Sequence, residues 1–147
     1  TAKIHKQGHS IRSVFESSAP AIHSTVAPSR SSDMPPLKPP YFTAIFSSQR
    51  TQTTRCEEAS ISYEEMADRM AQLAEESDGF LGMESYRDAD GRGVTISYWR
   101  TLDAIRNWGQ DHRHLEAQST GQKIWYEQYS LRIARVESET VWQRDKM

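Results

Sequence analysis

The segment from Gly93 to Trp108 changes its repeat half-way along, and that change constrains the fold more than any other feature of the chain. From Gly93 to Arg100 the period is two: Val94, Ile96 and Tyr98 point to one side, Thr95, Ser97 and Trp99 to the other. From about Leu102 to Trp108 the spacing becomes helical, with Leu102, Ile105 and Trp108 on one stripe. Thr101 offers a hydroxyl N-cap, and Asp103 puts negative charge in the first turn. A strand therefore runs straight into a helix and carries an aromatic side chain at its end. Two titratable groups, His112 and His114, follow that helix. Any chemistry is expected to be built around this unit.

The flanking pattern completes a fold. Tyr41–Ser47 reads as a strand with Phe42, Ala44 and Phe46 on one face and Thr43, Ile45 and Ser47 on the other. Residues 48–60 are polar and read as a loop. Ser62-Tyr-Glu-Glu65 is a capping box, and Met66, Met70, Leu73 and Ala74 form one apolar stripe behind it. Asp78-Gly79 supplies the helix stop, with Gly79 suited to a left-handed C-cap. Phe80–Arg87 reads as a second strand, turned by Asp88-Ala-Asp-Gly91 into the Gly93–Arg100 strand. A second helical piece from about Arg113 to Thr120 stops at Gly121, and Tyr126–Val136 alternates as a fourth strand. The order β-α-β-β-α-β is that of an α+β, ferredoxin-like fold: an antiparallel sheet with helices on one face.

Both faces of that sheet carry apolar residues, Phe42 and Phe46 against Ile45, and Val94, Ile96 and Tyr98 against Trp99. One layer of helices covers one face, so a homodimer packed sheet to sheet is expected.

Composition sets the bounds of function. The 147 residues carry a net charge of -2, which gives no reason to expect nucleic acid or a membrane surface as partner. No apolar run approaches the roughly 20 residues of a spanning helix. The single cysteine, Cys56, lies in a polar stretch and reads as a loop thiol, and the absence of an internal disulfide suits a cytoplasmic setting. All six prolines and eight serines fall within residues 1–40, whose net charge is +3, leaving -5 for the remainder. Residues 1–40 read as a disordered or extended leader, with Ile11, Val14 and Phe15 able to form one helical turn. An organellar targeting role or a natural start at Met34 are the alternatives. Residues 41–137 form the patterned domain and 138–147 a polar tail. The sequence shows no zinc-type Cys/His spacing, no phosphate-binding glycine loop and no nucleophile elbow.

Three stretches carry a resemblance. They are Phe46-Ser-Ser-Gln-Arg-Thr51 with Glu65-Met-Ala-Asp-Arg-Met-Ala-Gln-Leu-Ala74 and Gly79-Phe-Leu-Gly-Met-Glu-Ser85; Ile96 through Trp108; and His112-Arg-His-Leu-Glu-Ala-Gln118 through Gly121-Gln-Lys-Ile-Trp-Tyr126. Together they resemble the antibiotic biosynthesis monooxygenase family of dimeric α+β barrels over residues 41–137. The resemblance implies either cofactor-independent oxygenation of electron-rich aromatic substrates or oxidative haem degradation. In the haem-degrading style a strand-one Asn, a strand-three Trp and a His near helix two serve the site. Trp99 matches the Trp, and His112 or His114 the His. The Asn has no match, because the only asparagine is Asn107 on helix two.

The expected function is a small monooxygenase using O2 on an aromatic or quinol-like small molecule, with no cofactor. The alternatives are a haem-binding or haem-degrading enzyme and a non-catalytic barrel that only binds a small molecule. Trp99, His112 and His114 are the catalytic candidates, with Trp99 stacking on the substrate ring or filling the core. Phe46, Ser47, Gln49, Tyr98, Trp108 and Trp125 are the substrate-binding candidates. Arg50 and Arg132 suit either an anionic substrate or a solvated surface.

Overall fold

A computed structural model of the chain describes residues 36–52 and 61–145. The helical turn at Ile11–Phe15, the start at Met34 and the loop thiol Cys56 lie outside the described residues. The elements are β1 (Tyr41–Arg50), α1 (Tyr63–Glu75), β2 (Phe80–Arg87), β3 (Arg92–Trp99), α2 (Leu102–Gln110), α3 (His112–Thr120), a π-helical segment (Gly121–Trp125) and β4 (Tyr126–Val136). The four strands form one antiparallel sheet in the order β2-β3-β1-β4, which gives the α+β, ferredoxin-like arrangement.

The alternation read from β1 and β3 sets the two faces. Phe42, Ala44, Phe46 and Ser48 stand opposite Trp99, Ser97, Thr95 and Gly93, and so share one face. Trp108 of α2 packs on Trp99, and Tyr63 of α1 meets Arg87 of β2, so this is the helix-covered face. Helix α1 begins as the capping box requires: Ser62 Oγ accepts from the Glu65 amide while the Glu65 carboxylate accepts from the Ser62 amide. The helices approach the sheet through small residues. Ala71, Ala74, Ala104 and Ala117 are buried, whereas Met66, Met70 and Leu73 keep part of their surface exposed.

The structure corrects several boundaries. β1 runs three residues past Ser47, because it is an inner strand whose Ser48 and Gln49 pair with β3 on one side and β4 on the other. Polar side chains do not end a strand whose backbone groups are satisfied on both edges. α1 ends at Glu75 with Glu76 as C-cap, so Gly79 does not cap it. Gly79 instead takes φ +80° at the approach to β2, where a Cβ would lie 2.7 Å from that of Ala104. Gly121 keeps helical angles and leads into the π segment, and the Tyr126 ring occupies the space a Cβ there would need.

On the other face lie Tyr41, Thr43, Ile45, Ser47 and Gln49 with Tyr98, Ile96, Val94 and Arg92. The segment after β4 continues alongside the chain that leads into β1: the Glu139 carboxylate accepts from the Leu37 amide and from the Tyr41 hydroxyl. Val141 and Trp142 of that segment remain exposed. Among the described residues, no helix is long and apolar enough to cross a membrane.

Candidate functional site

The β3–α2 junction builds an aromatic column. Thr101 Oγ1 accepts from the Ala104 amide and starts α2 immediately after Trp99. One turn and a half later Trp108 comes to lie over Trp99, ring centroids 6.1 Å apart, while Phe80 meets Trp99 edge-on at 5.3 Å. Asp111 then caps α3, and the first turn of α3 lays the His114 ring parallel to Trp108 at 4.3 Å. His114 Nδ1 lies 3.0 Å from the Trp108 carbonyl, which can only accept, so the imidazole carries its proton on Nδ1. Nε2 is left with its lone pair and no hydrogen-bond partner among the described residues. Burial pushes the His114 pKa below its ordinary value, more than the Trp108 carbonyl and the Asp111 charge raise it. The result is a half-buried, neutral imidazole with one nitrogen available as a base.

Trp99 itself has no exposed surface (0 %), and its Nε1–H donates to Ser97 Oγ at 2.9 Å. It is the floor under Trp108 and offers no face on which a substrate ring could stack. His112 is exposed at the start of α3 and is not part of the column.

A second cluster sits at the opposite end of the same face. Arg87 of β2, Gly93 of β3, Ser48 of β1 and Tyr129 of β4 occupy one row across the sheet. Arg87 lies flat over Gly93, where a Cβ would come within 2.6 Å of its Cζ. From there it donates to Ser48 Oγ (2.9 Å), Tyr63 Oη (3.0 Å) and the Gly91 carbonyl (2.7 Å). Tyr126 Oη donates to Tyr63 Oη at 3.4 Å, and burial holds the Tyr126 phenol far above its ordinary pKa. Phe46 packs on Tyr126 and Tyr129, and Trp125 meets Tyr63 edge-on. Ser48 and Phe42 are six residues apart on β1, so this cluster and the Trp99 row are separated by about 20 Å at the usual strand rise.

The expected substrate-binding residues therefore divide. Trp108 is in the His114 column, and Phe46 and Trp125 are in the Arg87 cluster. Ser47, Gln49 and Tyr98 are on the opposite sheet face; Ser47 and Gln49 line a groove of about 400 Å³ together with Arg92, Gln128 and Ser130, and Ser48, Gly93 and Tyr129 of the Arg87 row also border it. Tyr98 donates to Glu84. Arg87, Tyr63 and Tyr126 are the residues that the sequence reading missed. Counting by twos from Met83 places Arg87 on the helix-covered face, but an arginine beside a turn reads as solvent-exposed.

The sequence of residues 46–141 matches the family described as monooxygenase af470-like. The chain belongs to that family. By sequence the chain is also 43% identical over 108 residues to the "uncharacterized protein YqjZ" of Bacillus subtilis, which is 74% of this chain and 90% of that protein. Among solved structures, SnoaB of Streptomyces nogalater, a cofactor-independent oxygenase, matches with a TM-score of 0.57 at 16% identity, covering 71% of this chain and 100% of that one. A putative antibiotic biosynthesis monooxygenase from Nitrosomonas europaea matches at 0.55 and 13%, covering 68% and 93%. At these identities the structural likeness shows the fold, and it is the antibiotic biosynthesis monooxygenase fold that the sequence resembled.

Haem does not fit the column as built. Trp99 is sealed beneath Phe80 and Trp108, and Asn107 is exposed on α2, so neither lines a slot for a macrocycle. Among the described residues there is no cluster of three or more metal-ligating side chains.

Proposed function

We propose that this monooxygenase-family domain oxygenates an electron-rich aromatic small molecule with O2 and without a bound cofactor, His114 acting as the base. The observation that carries this reading is the His114 imidazole, stacked on Trp108 with its Nδ1 turned to the Trp108 carbonyl, while burial favours its neutral form. Nε2 removes a proton from an acidic phenol or from a methylene between activating groups. The resulting carbanion or phenolate is electron-rich enough to reduce O2, and a carbon–oxygen bond forms as the peroxide. Loss of water then leaves a carbonyl: one oxygen atom stays on carbon, the other departs with the two substrate hydrogens, and the substrate supplies every electron. Trp108 would lie beside the reacting ring, with Trp99 beneath it as support.

Oxygen uptake with an anthrone and a hydroquinone as probes tests this. His114→Ala should lower turnover by about 100-fold or more, the usual scale for loss of a general base, while His112→Ala leaves it within a few-fold. Equal rates for wild type and His114→Ala would overturn the assignment. Hemin titration should give no Soret shift that depends on His114.

The sheet face opposite the helices supports a homodimer in the same reading. Ile45, Ile96 and Val94 of that face keep part of their surface exposed and Tyr86 is 60% exposed, which leaves apolar area for a second copy to cover. A monomeric mass by sedimentation equilibrium would refute it. The lone cysteine is consistent with a cytoplasmic setting.

A further inference from the structure

The Arg87 cluster is rich in donors and poor in acceptors. Arg87 is half-buried, yet its partners are a serine hydroxyl, a tyrosine hydroxyl and a backbone carbonyl, and it pairs with no carboxylate among the described residues. A second guanidinium, that of Arg50, lies 4.0 Å from the Tyr63 ring centre, with Arg87 at 5.5 Å. Among the described residues Arg50 pairs with Glu64 alone, at 3.3 Å, and that carboxylate is 46% exposed. Tyr63 Oη already accepts from both Arg87 and Tyr126, so its own proton points elsewhere, and no acceptor for it is present among the described residues. Trp125, adjacent to Tyr63 and 2% exposed, has a buried Nε1–H with no partner among the described residues. Arginine has no acceptor to offer, and a partly desolvated cation held by neutral groups lacks the counter-charge that such a position calls for. One side of the cluster is aromatic: Phe46, Tyr126 and Tyr129 pack together two residues from Ser48, and Tyr129 is 42% exposed.

We propose that Arg87, with Arg50 and Tyr63, forms a binding site for the carboxylate of an aromatic acid, whose ring rests on Phe46 and Tyr126. The guanidinium of Arg87 supplies the charge and Tyr63 a hydroxyl donor. Gly93 is part of the site, because its missing side chain is what allows Arg87 to lie across β3 toward Ser48. The site is separated from the Trp99 row by about 20 Å along β1, and it shares no residue with the His114–Trp108 column.

Calorimetric titration of the full chain with benzoate tests the proposal. Wild type should bind benzoate at millimolar or lower concentration, and benzamide, which lacks the charge, at least about tenfold more weakly, the scale of a charge-assisted hydrogen bond. Arg87→Met should weaken benzoate by a similar factor. Gly93→Ala keeps every side chain of the site but displaces Arg87, and should weaken benzoate too; it also serves where Arg87→Met fails to fold. His114→Ala should bind benzoate as wild type does, so loss of the base and loss of this site are separately visible. Three results would overturn the proposal: no benzoate binding by wild type, binding unchanged in a folded Arg87→Met or Gly93→Ala protein, or inorganic phosphate binding as tightly as benzoate.

Discussion

Replacing Trp99 by alanine should cost about 4 kcal/mol of folding stability. The side chain is wholly buried, and a tryptophan removes roughly 150–250 Å² from water. At about 25 cal/mol per Å² that corresponds to ~4–6 kcal/mol, an upper estimate because unfolded chains already bury some of this area. Measured truncations of large buried aromatics cluster at about 3–5 kcal/mol, which sets the lower figure. Trp99→Phe should cost less, about 1–2 kcal/mol, because the ring contacts with Phe80 and Trp108 persist while the hydrogen bond to Ser97 Oγ is lost. Urea unfolding followed by far-ultraviolet circular dichroism measures both. A domain at the low end of ordinary stability, about 5 kcal/mol, would survive the first change only narrowly, so the titration belongs at low temperature. The competing role for Trp99, a wall open to a substrate ring, predicts a different result. A ligand-facing tryptophan gives up little on truncation, and a loss below about 1 kcal/mol would refute the packing assignment.

His114 gives a pH prediction. Its folded pKa is lowered from 6.5 by burial, so the unfolded chain takes up the proton first. Stability from this residue is therefore complete above about 6.5, declines as pH falls through the window below it, and levels off beneath the folded value. His114→Gln should flatten that decline in urea midpoints measured across the window; an unchanged slope would count against the buried neutral imidazole. The acid limb of turnover should likewise lie below pH 6.5 if Nε2 is the base. Gly79→Ala should destabilise by more than about 1 kcal/mol, since Gly79 has φ +80° and its new Cβ would meet Ala104 at 2.7 Å. A thermal midpoint equal to wild type would show that this approach can widen without strain.

The parts of the fold that follow from short-range rules were legible in the sequence. The capping box placed the start of α1, the alternation from Tyr126 placed β4, and the parity of β1 and β3 assigned their faces as the register later showed. What parity does not contain is where the neighbours stand. Trp99 and Ser97 share a face, but only the position of α2 decides that Trp99 is enclosed and that Trp108, one helix further on, takes the upper place. The same holds for the histidines. His112 and His114 differ by two residues, and on a helix that is more than half a turn. One therefore faces solvent and the other the Trp108 ring, a choice that depends on how α3 is set against α2 and that no local pattern encodes. Arg87 shows the limit most clearly. Its place depends on an absent side chain in a different strand: Gly93 leaves open the surface on which the guanidinium lies, and Ser48, from a third strand, receives it. Three strands must pair in register before that row exists. A charged residue at a strand end, read alone, belongs to solvent; read across the row, it is a cation set into the helix-covered face, held by two hydroxyls and a backbone carbonyl and by no carboxylate among the described residues.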